Sequence, residues 1–339
     1  MIMIDNLKRY EDELRKEKVF ENKENLYSKY CDFIYYKSSV TPNLTLAMRV
    51  LKPEKPSYLL ATTHGWHMSV FDFKKYDEPQ TDCLLVEVDM RGRAFSDGKQ
   101  DCNGLELFDV IDAVEYVKKH YKDYLISTDV VFFEGGSGGG GNAYALAGKF
   151  PDYFAQITAM CGITDYGIWY DNDAIGEFKD ELDVWIGNRR NQTAYNSRSG
   201  IYLLENLSSP LFITHGAKDI RVPCYHADNY VKRAKTLNKD SLIKYLKFEN
   251  VGGQEHWQNM TDEEMQFMNK SCNAERLNNF KPTEIPDTGE MIVGGYLVTK
   301  KFEIFLDSQD KVARIKYDYT SKQATVFGVS QNEYKLIWK

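Results

Sequence analysis

The feature that most restricts this chain is an apolar strand that runs into a glycine cluster and emerges as an alanine-rich helix. Residues 128–150 read TDVVFFEGGSGGGGNAYALAGKF. Six glycines and one serine in seven positions would, in isolation, describe a flexible linker. The flanks exclude that. Val130-Val131-Phe132-Phe133 is a buried-strand pattern, and Ala143, Ala145 and Ala147 belong to a packed helix. Strand, Gly135-x-Ser137-x-Gly139 and helix form the turn that holds a nucleophilic serine in a strained backbone, where side chains two positions either side would collide. Gly135 and Gly139 therefore have a steric reason. Gly140 and Gly141 have none that the sequence supplies.

The rest of the chain fits around that unit. CDFIYYKS and LTLAMRVLKP read as strands, followed by SYLLATT (57–63) and CLLVEVDM (83–90). Leu105, Phe108, Ile111, Val114 and Val117 recur at helical spacing. AQITAMCG, PLFITHG and LIKYLKFEN supply further strands, with CYHADNYVKRAKTL as an intervening helix. Such alternation from about residue 57 to 272 calls for a doubly wound α/β fold with a mostly parallel sheet. The expected division is 1–40 (an amphipathic helix with Leu7, Tyr10, Leu14 and Val19 on one face, then a first strand), 41–272 (the core, with a cap segment over 165–206) and 273–339. In the last part KPTEIPDTGE reads as a connector, and YLVTKKFEIFL, KVARIKYDY, QATVFGV and EYKLIWK as four β segments of a small antiparallel appendage.

Composition narrows the function classes. A net charge of -7 and the lack of a Lys/Arg stripe interleaved with aromatics argue against nucleic acid. No apolar run approaches the roughly 20 residues of a membrane span. The opening MIMIDNLKRYEDELRKEKVF has no basic and apolar regions ahead of a small-residue cleavage site, so no secretory signal is expected. Six cysteines without CxxC spacing suggest neither a zinc site nor a disulfide framework. The expectation is a cytoplasmic protein that needs no metal or cofactor.

A serine hydroxyl requires a base and an orienting acid. Of six histidines, His120 ends a helix, His215 precedes a turn, His226 lies in the next helix, and His64 and His67 belong to an earlier loop. His256, in FENVGGQEHW after the last core strand, is the candidate base. Asp219, in PLFITHGAKDIRVP, is the candidate acid, with Asp165 and Asp228 as substitutes. The order Ser137, Asp219, His256 is that of α/β-hydrolases. The oxyanion donors would be the Gly138 N–H and, from THGWH, the Trp66 N–H, with His67 an equal candidate to face the site. Trp169, Tyr170, Trp185 and Trp257 are candidates to line a substrate pocket, packing of the cap being the alternative for the first three. Asp89 and Arg91 of DMRGRAFSDG are expected to pin a turn.

THGW, DMRGRAFSDG, GGSGG, SPLFITHGAKDIRVP and the late EHW together resemble the α/β-hydrolase superfamily over about residues 40–272. Within it the chain is similar to the prolyl oligopeptidase-type (S9) catalytic domains and to acetyl-xylan esterase, CocE-like and dienelactone hydrolase-like esterases. The resemblance implies Ser137 as nucleophile, Asp219 as acid, His256 as base, and Trp66 and Gly138 as oxyanion donors. With so short a lead before the core, no β-propeller is expected, and Trp257 follows His256 where S9 members often have glycine. These departures favour a carboxylic ester hydrolase acting on a small acylated substrate. An S9-type peptidase is the alternative, and a catalytically idle binding protein, assembling as a homo-oligomer through the β appendage, is the second.

Overall fold

The computed structural model describes residues 19, 21–72, 74–173, 176 and 178–339. Leu7, Tyr10 and Leu14 of the expected N-terminal helix lie outside the described residues; Val19 is buried. The chain divides into two compact units, residues 1–101 with 105–134, and 102–104 with 135–339. Its fold is α/β, with a mostly parallel central sheet, helices, and a separate antiparallel sheet at the C-terminus.

In the first unit, β1 (Cys31–Lys37), β2 (Thr45–Leu51), β3 (Tyr58–Thr63), β4 (Cys83–Asp89) and the start of β5 (Val131–Gly136) run in the order β1-β2-β4-β3-β5. The β1–β2 and β2–β4 pairs are antiparallel, and β3 is parallel to both β4 and β5. Strand β2 is buried almost throughout, the pattern of a strand covered on both faces. Helix α1 (Leu107–His120) turns Leu107, Val110, Ala113, Val114 and Val117 inward, a stripe slightly rotated from the sequence reading because Ile111 is half-exposed. The turn after β4 is pinned as expected. The Asp89 carboxylate accepts from the Val70 and Phe95 amides, while Arg91 makes a buried, charge-assisted fork with Asp109.

In the second unit, β6 (Gln156–Met160), β7 (Leu211–Gly216) and β8 (Ile243–Phe248) are parallel, with Ile157 opposite Leu211 and Leu211 opposite Ile243. Helix α2 (Gly138–Lys149) is buried along its whole length. Among the described residues of 165–206 are the short helices α3 (Tyr166–Asp171), α4 (Lys179–Trp185), α5 (Gln192–Arg198) and α6 (Gly200–Leu203), and a closing turn of 3-10 helix (Leu204–Asn206). Helices α7 (Tyr225–Thr236) and α8 (Asp262–Leu277) follow β7 and β8. Thr261 and Glu264 start α8 with a reciprocal capping box.

The C-terminal sheet has six strands where the sequence suggested four. They are β9 (Thr288–Gly294), β10 (Tyr296–Val298), β11 (Phe302–Leu306), β12 (Val312–Asp318), β13 (Gln323–Phe327) and β14 (Tyr334–Trp338), ordered β13-β12-β9-β10-β11-β14. YLVTKKFEIFL is two strands, because Thr299 accepts from the Phe302 amide and closes a tight turn. Strand β9 was read partly as connector, since TGEMIVG shows no alternation; it pairs with β12 along seven residues. Strand β12 alternates with period two, and Ala313, Ile315 and Tyr317 face a core that includes Val293, Leu297, Phe302 and Ile304. The sheet is integral to its unit. The buried Asn206 side chain donates to the Ile292 carbonyl and accepts from the Ile292 amide, and a Cβ on Gly294 would meet the Ser197 carbonyl at 2.8 Å.

Among the described residues no helix is long and apolar enough to cross a membrane. No disulfide joins any of the six cysteines.

Candidate active site

The glycine stretch becomes the link between β5 and α2. Ser137 stands between them at φ 56 and ψ -117, a left-handed conformation that a non-glycine residue adopts only under constraint. Two bonds supply that constraint: the Ser137 amide donates to the Met160 carbonyl at 2.9 Å, and the Ser137 carbonyl accepts from the Gly141 amide at 3.0 Å. A Cβ on Gly135 would sit 2.2 Å from the Gly139 carbonyl oxygen, the collision expected from sequence. Gly138 opens α2, so its N–H has no acceptor within the helix and is available to an anion.

The two unexplained glycines now have reasons. A Cβ on Gly140 would lie 2.6 Å from both the Gly162 Cα and the Met160 carbonyl, and one on Gly141 would lie 2.4 Å from the Tyr166 hydroxyl. The first turn of α2 therefore packs backbone against backbone on the loop after β6. We expect Gly140→Ala to destabilise by about 1–3 kcal/mol or more, since backbone atoms cannot step aside. It should also displace the Met160 carbonyl that holds Ser137. At Gly136 the nearest atoms to an added Cβ are at 3.9 and 4.0 Å, so Gly136→Ala is the control. Equal thermal midpoints for the two variants would contradict this packing account.

Asp219 and His256 meet as expected. The His256 Nδ1 lies 2.6 Å from Asp219 Oδ2, so the imidazole donates to the carboxylate there. Asp219 Oδ1 accepts from the Arg221 and Val222 amides at 3.0 and 3.1 Å. Burial alone would push this carboxyl up. The Nε2 of His215 at 3.6 Å, the His256 imidazole and the Val222 amide outweigh it and hold the group below the usual carboxylate range. Two glycines that sequence reasoning passed over let the acid turn and the histidine loop touch. A Cβ on Gly252 (φ +106) would lie 2.3 Å from the Asp219 nitrogen, and one on Gly216 would lie 3.0 Å from the His256 carbonyl. Lys218 and Ile220 amides donate across to Val251 and Gly253 carbonyls. Ser137 is tied to the end of β6, the Cys161 amide to Thr214 in β7, and Asp219 to Gly216. Ser137, Asp219 and His256 thus each follow the C-terminal end of a core strand, β5, β7 and β8, where α/β sheets place their sites. The substitute acids are otherwise engaged: Asp165 caps α3, and Asp228 binds Tyr245 and Lys247.

His226 is fully buried on α7, its Nδ1 facing the Thr164 amide at 3.4 Å. Burial and then the neighbouring His215 push its pKa from 6.5 down to about 3. The unfolded chain therefore takes up a proton that the folded chain refuses, and stability falls as pH drops from about 6.5 toward 3. His226→Asn should flatten the pH dependence of the urea midpoint in that range, by at most about 1.4 kcal/mol per pH unit. An unchanged slope would contradict the assignment.

The pocket candidates separate. Trp169 is 2% exposed, stacks on Phe178 at 4.0 Å and donates from Nε1 to the Arg221 carbonyl, bracing the acid turn from within the cap. Trp257 packs against the cluster of Phe212, Phe248, Val251, Met268 and Cys272. Tyr170 and Trp185 are half-exposed, and the Tyr170 hydroxyl donates to Asp183. Trp66 and His67 belong to the first unit, in the loop after β3, where the Trp66 carbonyl accepts from Arg93.

The sequence profile of the prolyl oligopeptidase family matches residues 87–275, which is more than half of the chain and takes in Ser137, Asp219 and His256. The chain belongs to the prolyl oligopeptidase family. The motif resemblance had pointed to this same S9 group. Similar solved structures carry the same fold. The uncomplexed acylaminoacyl peptidase of Pyrococcus horikoshii is 18% identical with a TM-score of 0.63, over 76% of this chain and 43% of that one. A puromycin hydrolase is 15% identical with a TM-score of 0.58, over 76% and 40%. The puromycin-hydrolyzing peptidase of Mycobacterium tuberculosis is 14% identical with a TM-score of 0.60, over 74% and 39%. This family member therefore spans less than half the length of those proteins. No curated protein matches it.

Proposed function

We propose that the chain is a serine hydrolase that cleaves acyl–nitrogen bonds through an acyl-enzyme. Ser137 Oγ attacks the substrate carbonyl while His256 Nε2 takes its proton, and His256 then returns that proton to the departing amine. Water repeats the sequence to release the acid. Asp219 holds the imidazole with Nδ1 protonated, leaving Nε2 as the base. The Gly138 N–H at the start of α2 binds the oxyanion. The observation that carries this reading is the 2.6 Å His256–Asp219 hydrogen bond, together with a serine held at φ 56 by its own backbone in the strand–turn–helix elbow.

The leaving group follows from kinship. The sequence reading preferred esters, but family membership and the peptidase names of the similar structures support an amide. A panel of aminoacyl-p-nitroanilides and N-acyl peptides, run against p-nitrophenyl esters with wild type and Ser137→Ala, tests the choice. Ser137-dependent amide turnover is expected, with activated esters also cleaved because the chemistry is shared. Turnover of esters alone would return the ester hydrolase, and identical behaviour of the two proteins would make the fold a catalytically idle one.

A further inference from the structure

The Asp219 carboxylate has two buried neighbours that the proposed mechanism does not use. The Cys161 Sγ, a ring nitrogen of His215 and a carboxylate oxygen of Asp219 all lie within 4.8 Å of one another, and all three residues are buried. His215 is the last residue but one of β7, and its Nε2 is 2.7 Å from the Val222 carbonyl. A carbonyl only accepts, so Nε2 carries the ring proton and donates it. Val222 is gripped on both sides: its carbonyl by His215, its amide by Asp219 Oδ1 at 3.1 Å. The same Nε2 lies 3.6 Å from Asp219 Oδ2, too long for a hydrogen bond but near enough for its N–H to favour negative charge there. Cys161 reaches the cluster from the end of β6. It has φ 47, its amide is tied to Thr214, and its sulfur lies within 4.8 Å of an Asp219 carboxylate oxygen.

A cluster of cysteine, histidine and aspartate also has the makings of a metal site. Here, however, His215 Nε2 is committed to Val222, and Asp219 accepts from His256 and from two amides. The groups facing Asp219 are His215 from β7, Cys161 from the end of β6, His256 from the loop after β8, and the backbone of Arg221 and Val222; His226 on α7 also interacts with it electrostatically.

We propose that His215 and Cys161 are positioning residues that clamp the 216–222 turn so that Asp219 presents Oδ2, and not Oδ1, to His256. The proposal rests on the triad reading above. His215 acts through the Val222 peptide, and Cys161 sets its thiol, a weak donor, beside the buried carboxylate.

Three variants test it: His215→Leu, which removes the donor; His215→Gln, whose amide nitrogen can occupy the Nε2 place; and Cys161→Ala. The first readout is independent of turnover. The downfield ring N–H proton of His256, assigned by its loss in His256→Gln, is followed by NMR for its exchange with water. In His215→Leu we expect exchange to quicken roughly tenfold or more, and kcat on the best p-nitroanilide to fall roughly 10- to 100-fold with KM changed about twofold at most, the loss of one hydrogen bond within a charged network. His215→Gln should recover most of both, and Cys161→Ala should show smaller changes of the same sign. A His215→Leu protein with lowered thermal midpoint but unaltered exchange and kcat would overturn the proposal, as would a His215→Gln protein as impaired as His215→Leu. Stoichiometric zinc retained by wild type and lost in Cys161→Ala would replace it with a metal site. If His215→Leu does not fold, the exchange measurement on the other two variants decides. If wild type shows no Ser137-dependent turnover, the triad reading fails while the exchange arm still decides the clamp.

Discussion

Ser137→Ala is expected to lower kcat on the order of 10⁶-fold, His256→Ala by a similar factor, and the double variant by no more than either alone. The reason is that nucleophile and base act as one unit. Without the imidazole the hydroxyl keeps its proton, and without the hydroxyl the imidazole has nothing to activate. What survives is the oxyanion site and substrate binding, which support a slow direct attack by water. Ser137 is only half-buried and its strained backbone is held by main-chain bonds, so Ser137→Ala should keep the wild-type thermal midpoint. The measurement is kcat for the two single variants and the double variant on one activated substrate. Losses that multiply in the double variant would mean that the two residues work independently, and the triad assignment would fall.

Asp219→Asn is expected to cost roughly 10⁴-fold in kcat near neutral pH, with the fold intact. The geometry states why. Oδ1 accepts from two backbone amides, so the amide oxygen of an asparagine must take that place and its NH₂ must face His256. A donor there binds the imidazole through a bare Nδ1, puts the proton on Nε2 and leaves Ser137 without a base. The same substitution changes acid sensitivity in a defined direction. The Asp219 carboxyl is held below its ordinary value in the folded chain, so its contribution to stability is present above about pH 4 and is lost as pH falls through the lower folded value. Asp219→Asn should lack that loss. Turnover within about tenfold of wild type would show that Asp219 does not set the tautomer.

The alternation of strands and helices was legible because each core strand is an uninterrupted apolar run bounded by Gly, Pro or charge. The triad candidates were legible because three motifs occur in one order. The misses share a physical cause, which is that the deciding partner is distant in sequence. Gly140 and Gly141 answer to Gly162 and Tyr166, and Gly252 answers to Asp219, so no local pattern could explain them. His215 was set aside as a residue preceding a turn, although its role comes from the Val222 carbonyl seven residues on. Trp169 could be read as pocket or packing because its burial depends on where Phe178 and Arg221 lie. Strand β9 escaped because its apolar half follows a Pro- and Gly-containing stretch and never alternates.

The central claim is that Ser137 is the activated nucleophile. A fluorophosphonate probe that carries a reporter, incubated with the folded chain and followed by mapping of the modified peptide, tests it without knowledge of the substrate. The account predicts one label per chain, on Ser137, slowed by orders of magnitude in His256→Ala and absent in Ser137→Ala. A label on any other residue, or equal labelling of wild type and Ser137→Ala, would contradict it.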